Sequence, residues 1–400
     1  MNWAKSGSNR NDACREGRSR FRHVKIALVT PFDLARPGGV AEHVIHLGQE
    51  FARLGHEVTT LAPKADPRAV RRSDAVGVRE IGRALTLPTN GSRARITLDL
   101  TRFGEVRRIF TGERFDVVHV HAPLTPALTW MALFASHSVN VATFHAYRNG
   151  SVWYRALAPA FRPVVRRIDT RIAVSEPAAR FIGAYFPGNY TVIPNGIDIE
   201  RFGPDKADPN SHEVGVPQIV FVGRHDEPRK GLSTLLQALP AIRAAIPGCR
   251  LEIAGDGDIS RHANLLNTIG RDGIAFHGQV SAEDLPRHYA SADLFCAPST
   301  ENESFGIVLL EAMASAVPVV ASNIPGYASV MTDGREGLSV PARDPAALAT
   351  AVIRLLADAD LRSYLGNAGR ATAATYAWPN VAARVIDLYE RTIAAKSIQS

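Results

Sequence analysis

From Val24 onward the chain alternates between short apolar runs and stretches of helical period. Val24-Lys-Ile-Ala-Leu-Val-Thr30 reads as a buried parallel strand, because its apolar residues are nearly continuous rather than alternate. The loop Pro31 to Val40 follows, holding Gly38-Gly39, and then a helix from Ala41 to Leu54 that Gly55 ends. Gly55-His-Glu-Val-Thr-Thr-Leu-Ala-Pro63 supplies a second strand. This β-α-β order, with its right-handed crossover, predicts a doubly wound sheet. Further strands are predicted at Phe115 to Pro123, Asn140 to Tyr147, Arg171 to Ser175 and Thr191 to Asp198, filling a first domain at residues 23–202. Residues 203–217 are polar and turn-forming, and read as a linker. The alternation resumes in a second domain, 218–375, with strands opening near Gln218, Arg250, Gly273, Ala292 and Pro318. Residues 376–400 hold Tyr376-Ala-Trp-Pro379 and a last amphipathic helix running to about Ala394. The fold class is α/β, two Rossmann-like halves that repeat one architecture without a short-period repeat.

The stretch 301–330 concentrates candidate chemistry. A strand ending in Cys296-Ala-Pro-Ser299 leads into a helix predicted to start at Ser304 or Phe305, with Ile307, Val308, Leu310, Glu311 and Met313 two turns deep. Such a strand, turn and helix aims free backbone N–H groups beyond the strand end, where an anion or a hydroxyl can sit. Glu303 lies in the turn and Glu311 eight residues on, an acidic group in an apolar helix that needs a polar partner. The plainer alternative makes Glu303 a capping residue and Glu311 an ordinary salt-bridged carboxylate. Arg224 and Lys230 flank the turn before a helix from Leu232, where a diphosphate would meet two cations and a favourable helix dipole. Taken singly, each reads better as a plain surface charge. Gly38-Gly39 lets the backbone approach a ligand, but G-x-G-x-x-G spacing is missing, which argues against a dinucleotide site.

His145 ends a buried strand, where open α/β sheets keep their ligands. His119 and His121 fall on one face of their strand, but the sequence offers no third ligand, so strand-end packing is the favoured reading over a metal pair. Asp256-Gly-Asp258 follows a strand in a Gly-rich turn and reads as a turn.

Composition narrows the picture. No apolar run approaches eighteen residues and no signal-peptide core precedes the first strand, so a cytoplasmic protein is expected. Cys14, Cys249 and Cys296 have no metal-binding spacing. The balance of 46 basic against 39 acidic residues, a net +7, favours anionic ligands or an anionic surface. Residues 1–22 are polar, basic and aperiodic, and are expected to be a disordered tail. Arg68, Arg71, Arg72, Arg79, Arg83, Arg93 and Arg95 surround the turn at Pro88, and face either water or lipid phosphates. Trp153, Tyr154 and Phe161 interleaved with arginines suit an interfacial helix, although Pro159 and Pro163 are expected to break it, leaving packing under a cleft as the alternative.

Pro37-Gly-Gly-Val, Asn90-Gly-Ser, Ala142-Thr-Phe-His, Arg171-Ile-Ala-Val-Ser, Pro194-Asn-Gly, Gly223-Arg-His-Asp-Glu-Pro-Arg-Lys-Gly and Glu303-Ser-Phe-Gly-Ile-Val-Leu-Leu-Glu-Ala-Met occur in this order. From Val24 to Glu390 the ordered set resembles the retaining GT-B enzymes of glycosyltransferase family 4, and looks most like the phosphatidylinositol mannosyltransferases. The resemblance implies two domains facing across a cleft, with the segment 376–400 packing back on the first. It implies a sugar-nucleotide donor, GDP-mannose by preference, and Arg224, Lys230, Glu303 and His145 as catalytic. Donor binding would fall to Gly39, Arg224, Lys230, Glu303, Ser304, Phe305, Gly306, Ile307 and Glu311, with Glu303 facing the sugar and Glu311 the ribose. Acceptor binding would fall to Asn90, Ser92 and Arg95.

Phe32 and Ala146 stand where that group carries Tyr and Thr, so two hydroxyls for an inositol phosphate are missing. The segment Thr101 to Phe110 carries Glu105 beside Arg102, Arg107 and Arg108, and is less basic than the membrane-docking helix of that group. Mannosyl transfer to phosphatidylinositol or a related glycolipid, by an enzyme peripheral on the inner face of the plasma membrane, is the expectation. A UDP-sugar donor or a soluble acceptor is the alternative, and a GT-B-shaped epimerase or a silent nucleotide-binding protein is the different class. No tightly bound cofactor, structural metal or nucleic acid is expected, and no residue pattern calls for Mg2+. Nothing in the sequence sets the oligomeric state.

Overall fold

The computed structural model describes residues 23–399 except 36–37, 67–73, 90–91, 149 and 209–214, and leaves out the side chains at 87–89, 92–94, 153 and 399. The tail, the middle of the expected linker and several of the clustered arginines lie outside the described residues.

The first half holds β1 Lys25–Val29, β2 Glu57–Lys64, β3 Val78–Arg83, β4 Leu85–Thr89, β5 Ser92–Ile96, β6 Val117–His121, β7 Val139–Phe144, β8 Thr170–Ala173 and β9 Thr191–Val192. The second half holds β10 Gln218–Val222, β11 Arg250–Ala254, β12 Ile274–Gly278, β13 Leu294–Ala297, β14 Val319–Ser322 and β15 Gly337–Val340. Two parallel sheets result, ordered β3-β2-β1-β6-β7-β8-β9 and β12-β11-β10-β13-β14-β15, with β4 and β5 forming a separate antiparallel hairpin. The expected pair of doubly wound Rossmann-like sheets is therefore present.

Helices cover both faces of each sheet, which is why the strand sequences are apolar throughout. Along β1 the side chains alternate: Ile26 and Leu28 join Val44, Leu47 and Phe51 of the helix Gly39–Arg53, while Ala27 and Val29 join Leu128, Met131 and Leu133 of the helix Leu128–Ala135. In the second half Ile219 and Phe221 pack on Leu235, Leu239 and Val352, and Val220 packs on Leu309 and Met313.

The last helix, Trp378–Gln399, buries Val381, Val385, Ile386 and Tyr389 against β1 and the helix Gly39–Arg53. The chain thus crosses between the halves twice, and the crossings are stitched together. Ile197 N–H donates to the Tyr376 carbonyl at 2.9 Å, and Trp378 N–H to the Ile197 carbonyl at 3.3 Å. Gly196 lies so close under the indole that a Cβ there would be 2.4 Å from the Trp378 ring.

Two local expectations are corrected. The helix after Glu303 starts at Ile307, not at Ser304 or Phe305, because Gly306 takes φ +112° as its N-cap. The helix Val152–Val165 runs through both Pro159 and Pro163. The hydrogen bonds they delete would have ended on the carbonyls of Arg155 and Pro159, both exposed residues, where access to solvent lowers the cost of the lost bonds. Ser151 caps its start by accepting from the Tyr154 N–H at 3.2 Å.

Candidate active site

In both sheets the strand order reverses beside the first strand, at β1/β6 and at β10/β13, and loops leaving the carboxyl ends of those strands diverge to leave a crevice. Here the two crevices face each other and enclose a cavity of about 630 Å³. The first half contributes Phe32, Gly39, His145 and Ala146, and the second contributes Arg229, Lys230 and the turn from Asn302 to Val308. Gly39 and Ile307 meet across the cleft, a Cβ on Gly39 being 3.5 Å from Ile307 Cδ1. Ser175, which caps the helix Glu176–Gly183, also donates its hydroxyl to the carbonyl of Ser304, a residue of the cavity lining, and so links the halves beside the cavity.

The second-domain wall depends on two close backbone approaches. Gly231, at φ +74°, leaves the turn Pro228–Lys230 so near β13 that a Cβ would lie 1.9 Å from the Pro298 carbonyl oxygen. The Thr300 N–H donates to the Arg229 carbonyl at 2.7 Å, tying the loop after β10 to the loop after β13. Lys230 and Arg229 are thereby brought to Glu303. Glu303 Oε1 accepts from Lys230 Nζ at 2.6 Å, Arg229 Nη1 at 2.8 Å and Ser299 Oγ at 3.3 Å. Arg229 also pairs with buried Glu227 at 2.7 Å. Glu303 is therefore an anion holding two cations at the cavity wall, and not the capping residue of the plainer alternative. A phosphate entering the cavity meets the same two cations, together with the first turn of the helix Ile307–Ala314.

Of the residues singled out in the sequence, Gly39, His145, Lys230, Glu303, Ser304, Phe305, Gly306 and Ile307 all line this one cavity. Arg224 lies outside the lining and turns along its own loop, 3.4 Å from Asp226 and 3.6 Å from Glu227. Glu311 lies one helical turn deeper, where its carboxylate accepts a 2.7 Å hydrogen bond from the buried Tyr289 hydroxyl. Burial raises the Glu311 carboxyl to about 7, with the Tyr289 hydrogen bond and the Arg201 charge opposing the rise. Its polar partner is thus a phenol, not the salt bridge of the plainer alternative. Arg95 is held by Asp33 at 3.1 Å and Asp66 at 2.7 Å, beside the point where Ile96 bridges to Phe32. Asn90 and the Ser92 side chain lie outside the described residues.

Sequence reasoning passed over Arg229, Tyr289, Asn195 and His43. Arg229 stands next to Lys230 in the same turn, so its signal was adjacency to a chosen residue; the others come from elements distant in sequence. Reading His121 as lacking further ligands also needs correction. His43 from the helix Gly39–Arg53 and His145 from the end of β7 both converge on it. His119 is held by packing, but midway along β6 and not at its end, its Nδ1 bonded to the Tyr389 hydroxyl at 2.6 Å and its Nε2 to Thr143 Oγ1 at 2.7 Å. Asp258 caps the short helix Ile259–His262, as a turn residue does.

Comparison with known proteins identifies the scaffold. Residues 37–201 match the family described as Glycosyltransferase Family 4, and residues 216–358 match Glycosyl transferases group 1. The chain is 36% identical over 367 residues to a phosphatidyl-myo-inositol mannosyltransferase of Mycobacterium leprae, covering 92% of this chain and 96% of that protein. It is 31% identical to a GDP-mannose-dependent alpha-(1-6)-phosphatidylinositol monomannoside mannosyltransferase of Mycobacterium tuberculosis, covering 93% and 100%. Among solved structures, a glycosyltransferase from Rickettsia africae superimposes with a TM-score of 0.74 at 20% identity, covering 93% of this chain and 99% of that one, which speaks to the fold. With its two facing parallel sheets, the chain belongs to glycosyltransferase family 4 and has the GT-B architecture.

Proposed function

We propose that the protein transfers mannose, with retention, from GDP-mannose to phosphatidylinositol or a related glycolipid. The observation that carries this reading is the single cavity that joins a cationic second-domain wall to His145 of the first domain, in a chain so similar to mannosyltransferases of that substrate class.

In this reading the donor diphosphate lies against Lys230, Arg229 and the first turn of the helix Ile307–Ala314. As the bond to the sugar breaks, negative charge builds on the departing phosphate, and cations already fixed there stabilise it without reorganising. Glu303 holds Lys230 and Arg229 at the cavity wall, and as the diphosphate takes up these two cations Glu303 orients the sugar. Glu311, one helical turn beyond the lining residues, grips the ribose hydroxyls. His145 faces the sugar from the first domain. The acceptor hydroxyl attacks on the face from which the phosphate leaves, and the leaving phosphate takes its proton. No tightly bound cofactor is needed in this scheme.

The acceptor side is built from the first domain. No helix among the described residues is long and apolar enough to cross a membrane. The first domain does expose Leu98, Leu100 and Phe103 next to Arg102, Arg107 and Arg108, and Val152 and Leu157 next to Arg155 and Arg162. Apolar groups set among cations suit reversible attachment to an anionic lipid surface.

A second reading, a different acceptor, is favoured by Phe32 and Ala146, which line the cavity without hydroxyls. Incubation with radiolabelled GDP-mannose or a UDP-sugar, with extracted lipids or soluble acceptors, followed by thin-layer separation, tests the proposal. Label from GDP-mannose entering the lipid fraction supports it. Label entering only water-soluble product overturns the lipid acceptor, and label moving only from the UDP-sugar overturns the donor.

A further inference from the structure

Three imidazoles meet at the rear of the cleft. His121 Nδ1 and His145 Nε2 share a 3.1 Å hydrogen bond, which an ion would replace by moving the shared proton to a far ring nitrogen, and the His43 ring stands edge-on to both, with centroids 5.3 Å and 4.9 Å away. One nitrogen from each of the three lies within 4.8 Å of the others. A four-coordinate ion with metal–nitrogen bonds of about 2.0–2.1 Å needs nitrogens roughly 3.3 Å apart, so one edge already fits and modest ring rotations supply the rest.

One further observation points to a ligand. His43 Nδ1 donates to Asn195 Oδ1 at 2.9 Å, which fixes the tautomer and leaves Nε2 with its lone pair. An imidazole whose far nitrogen is held by a carbonyl oxygen is the usual arrangement of a metal-ligating histidine. His145 also lines the open cavity, which gives an ion its way in. His119 is occupied by Tyr389 and Thr143 and serves only as packing behind His121.

We propose that His43, His121 and His145 form a binding site for one late first-row divalent ion, Zn2+ or Ni2+ in type, at the wall of the cleft. All-imidazole ligation suits those ions and disfavours Mg2+ and Ca2+. An ion there removes His145 from the cavity wall, so the site is inhibitory for sugar transfer. That last consequence rests on the function proposed above; the binding itself does not.

Metal-free protein titrated with Co2+ tests the site without any substrate. One equivalent is expected to bind with the intense visible absorption of a four-coordinate ion, displaced by Zn2+ and unaffected by millimolar Mg2+. His43→Gln and His121→Asn should abolish the band. Asn195→Ala should weaken binding about 10- to 100-fold, and His46→Gln, outside the cluster, should leave it unchanged. Circular dichroism checks that each variant is folded, and if His121→Asn is not, His43→Gln and Asn195→Ala carry the test. Absence of the band in the wild-type protein, or a band that survives both of those substitutions, overturns the proposal. Zn2+ that binds in a protein showing no mannosyl transfer would keep the site and remove the function; transfer indifferent to Zn2+ and no cobalt band would do the reverse.

Discussion

Glu311→Gln separates the stability role of this carboxylate from its role in binding. Burial raises the carboxyl from 4.5 to about 7, and at about 1.36 kcal/mol per pH unit that rise is worth about 3 kcal/mol. The folded state then binds its proton more tightly than the unfolded state, so Glu311 makes stability fall as pH rises from about 4.5 to about 7, with the full cost present above that. Glutamine cannot ionise and still offers an oxygen to the Tyr289 hydroxyl. The variant should therefore melt higher than wild type at pH 8, by roughly 2–4 °C per kcal/mol for a domain of this size, and the gap should mostly close at pH 5. Nucleotide binding should move the other way. Exchanging a charge-assisted hydrogen bond for a neutral one costs on the order of 1–2 kcal/mol, a loss of roughly tenfold in affinity for GDP at pH 8. Scanning calorimetry at the two pH values and titration calorimetry with GDP measure both. A melting difference independent of pH would refute the buried-carboxyl argument, and unchanged GDP affinity would refute the ribose contact.

Three further expectations follow from the same geometry. Lys230→Ala and Arg229→Ala should each lower turnover roughly a hundredfold, about 2.7 kcal/mol, with the fold intact by circular dichroism, and near-normal turnover in either would remove that cation from the diphosphate site. His43 and His119, lowered by burial to about 4 and about 3, take up protons more readily when unfolded, so the first domain should be fully stable above about pH 6.5 and lose stability as pH falls towards 4; amide exchange in β6 and β7 that does not quicken over that window would contradict this. Phe32→Tyr combined with Ala146→Thr should increase transfer to phosphatidylinositol, and no gain with that acceptor would show that the missing hydroxyls do not limit it.

Much of the fold was legible because parallel strands covered on both faces must be apolar throughout, which made β1, β7, β10 and β13 conspicuous in the sequence. The helix start at Ile307 was not, since Ser304 and Phe305 extend the apolar period and only the left-handed backbone at Gly306 ends it. Pro159 and Pro163 misled for the opposite reason, because the residues whose carbonyls they orphan are exposed. Within the site, motif residues sharing a loop were found together. Contacts between loops were invisible: Glu303 reaches Lys230 across 73 positions, and Tyr289 reaches Glu311 from a helix that carries no motif. Arg95 came from the resemblance, and nothing in the spacing revealed that Asp33 and Asp66 already hold it. His43, His121 and His145 likewise come from one helix and two strand ends that only the sheet order brings together.

The most direct test of the account is a transfer assay with GDP-mannose carrying 13C at the anomeric carbon, offered to phosphatidylinositol in vesicles, with the lipid product examined by NMR. The account predicts a labelled lipid whose mannose keeps the α configuration, formed by wild type and at roughly one-hundredth of the rate by Lys230→Ala. A β-linked product, or label that stays in the aqueous phase while a UDP-sugar is transferred instead, would contradict it.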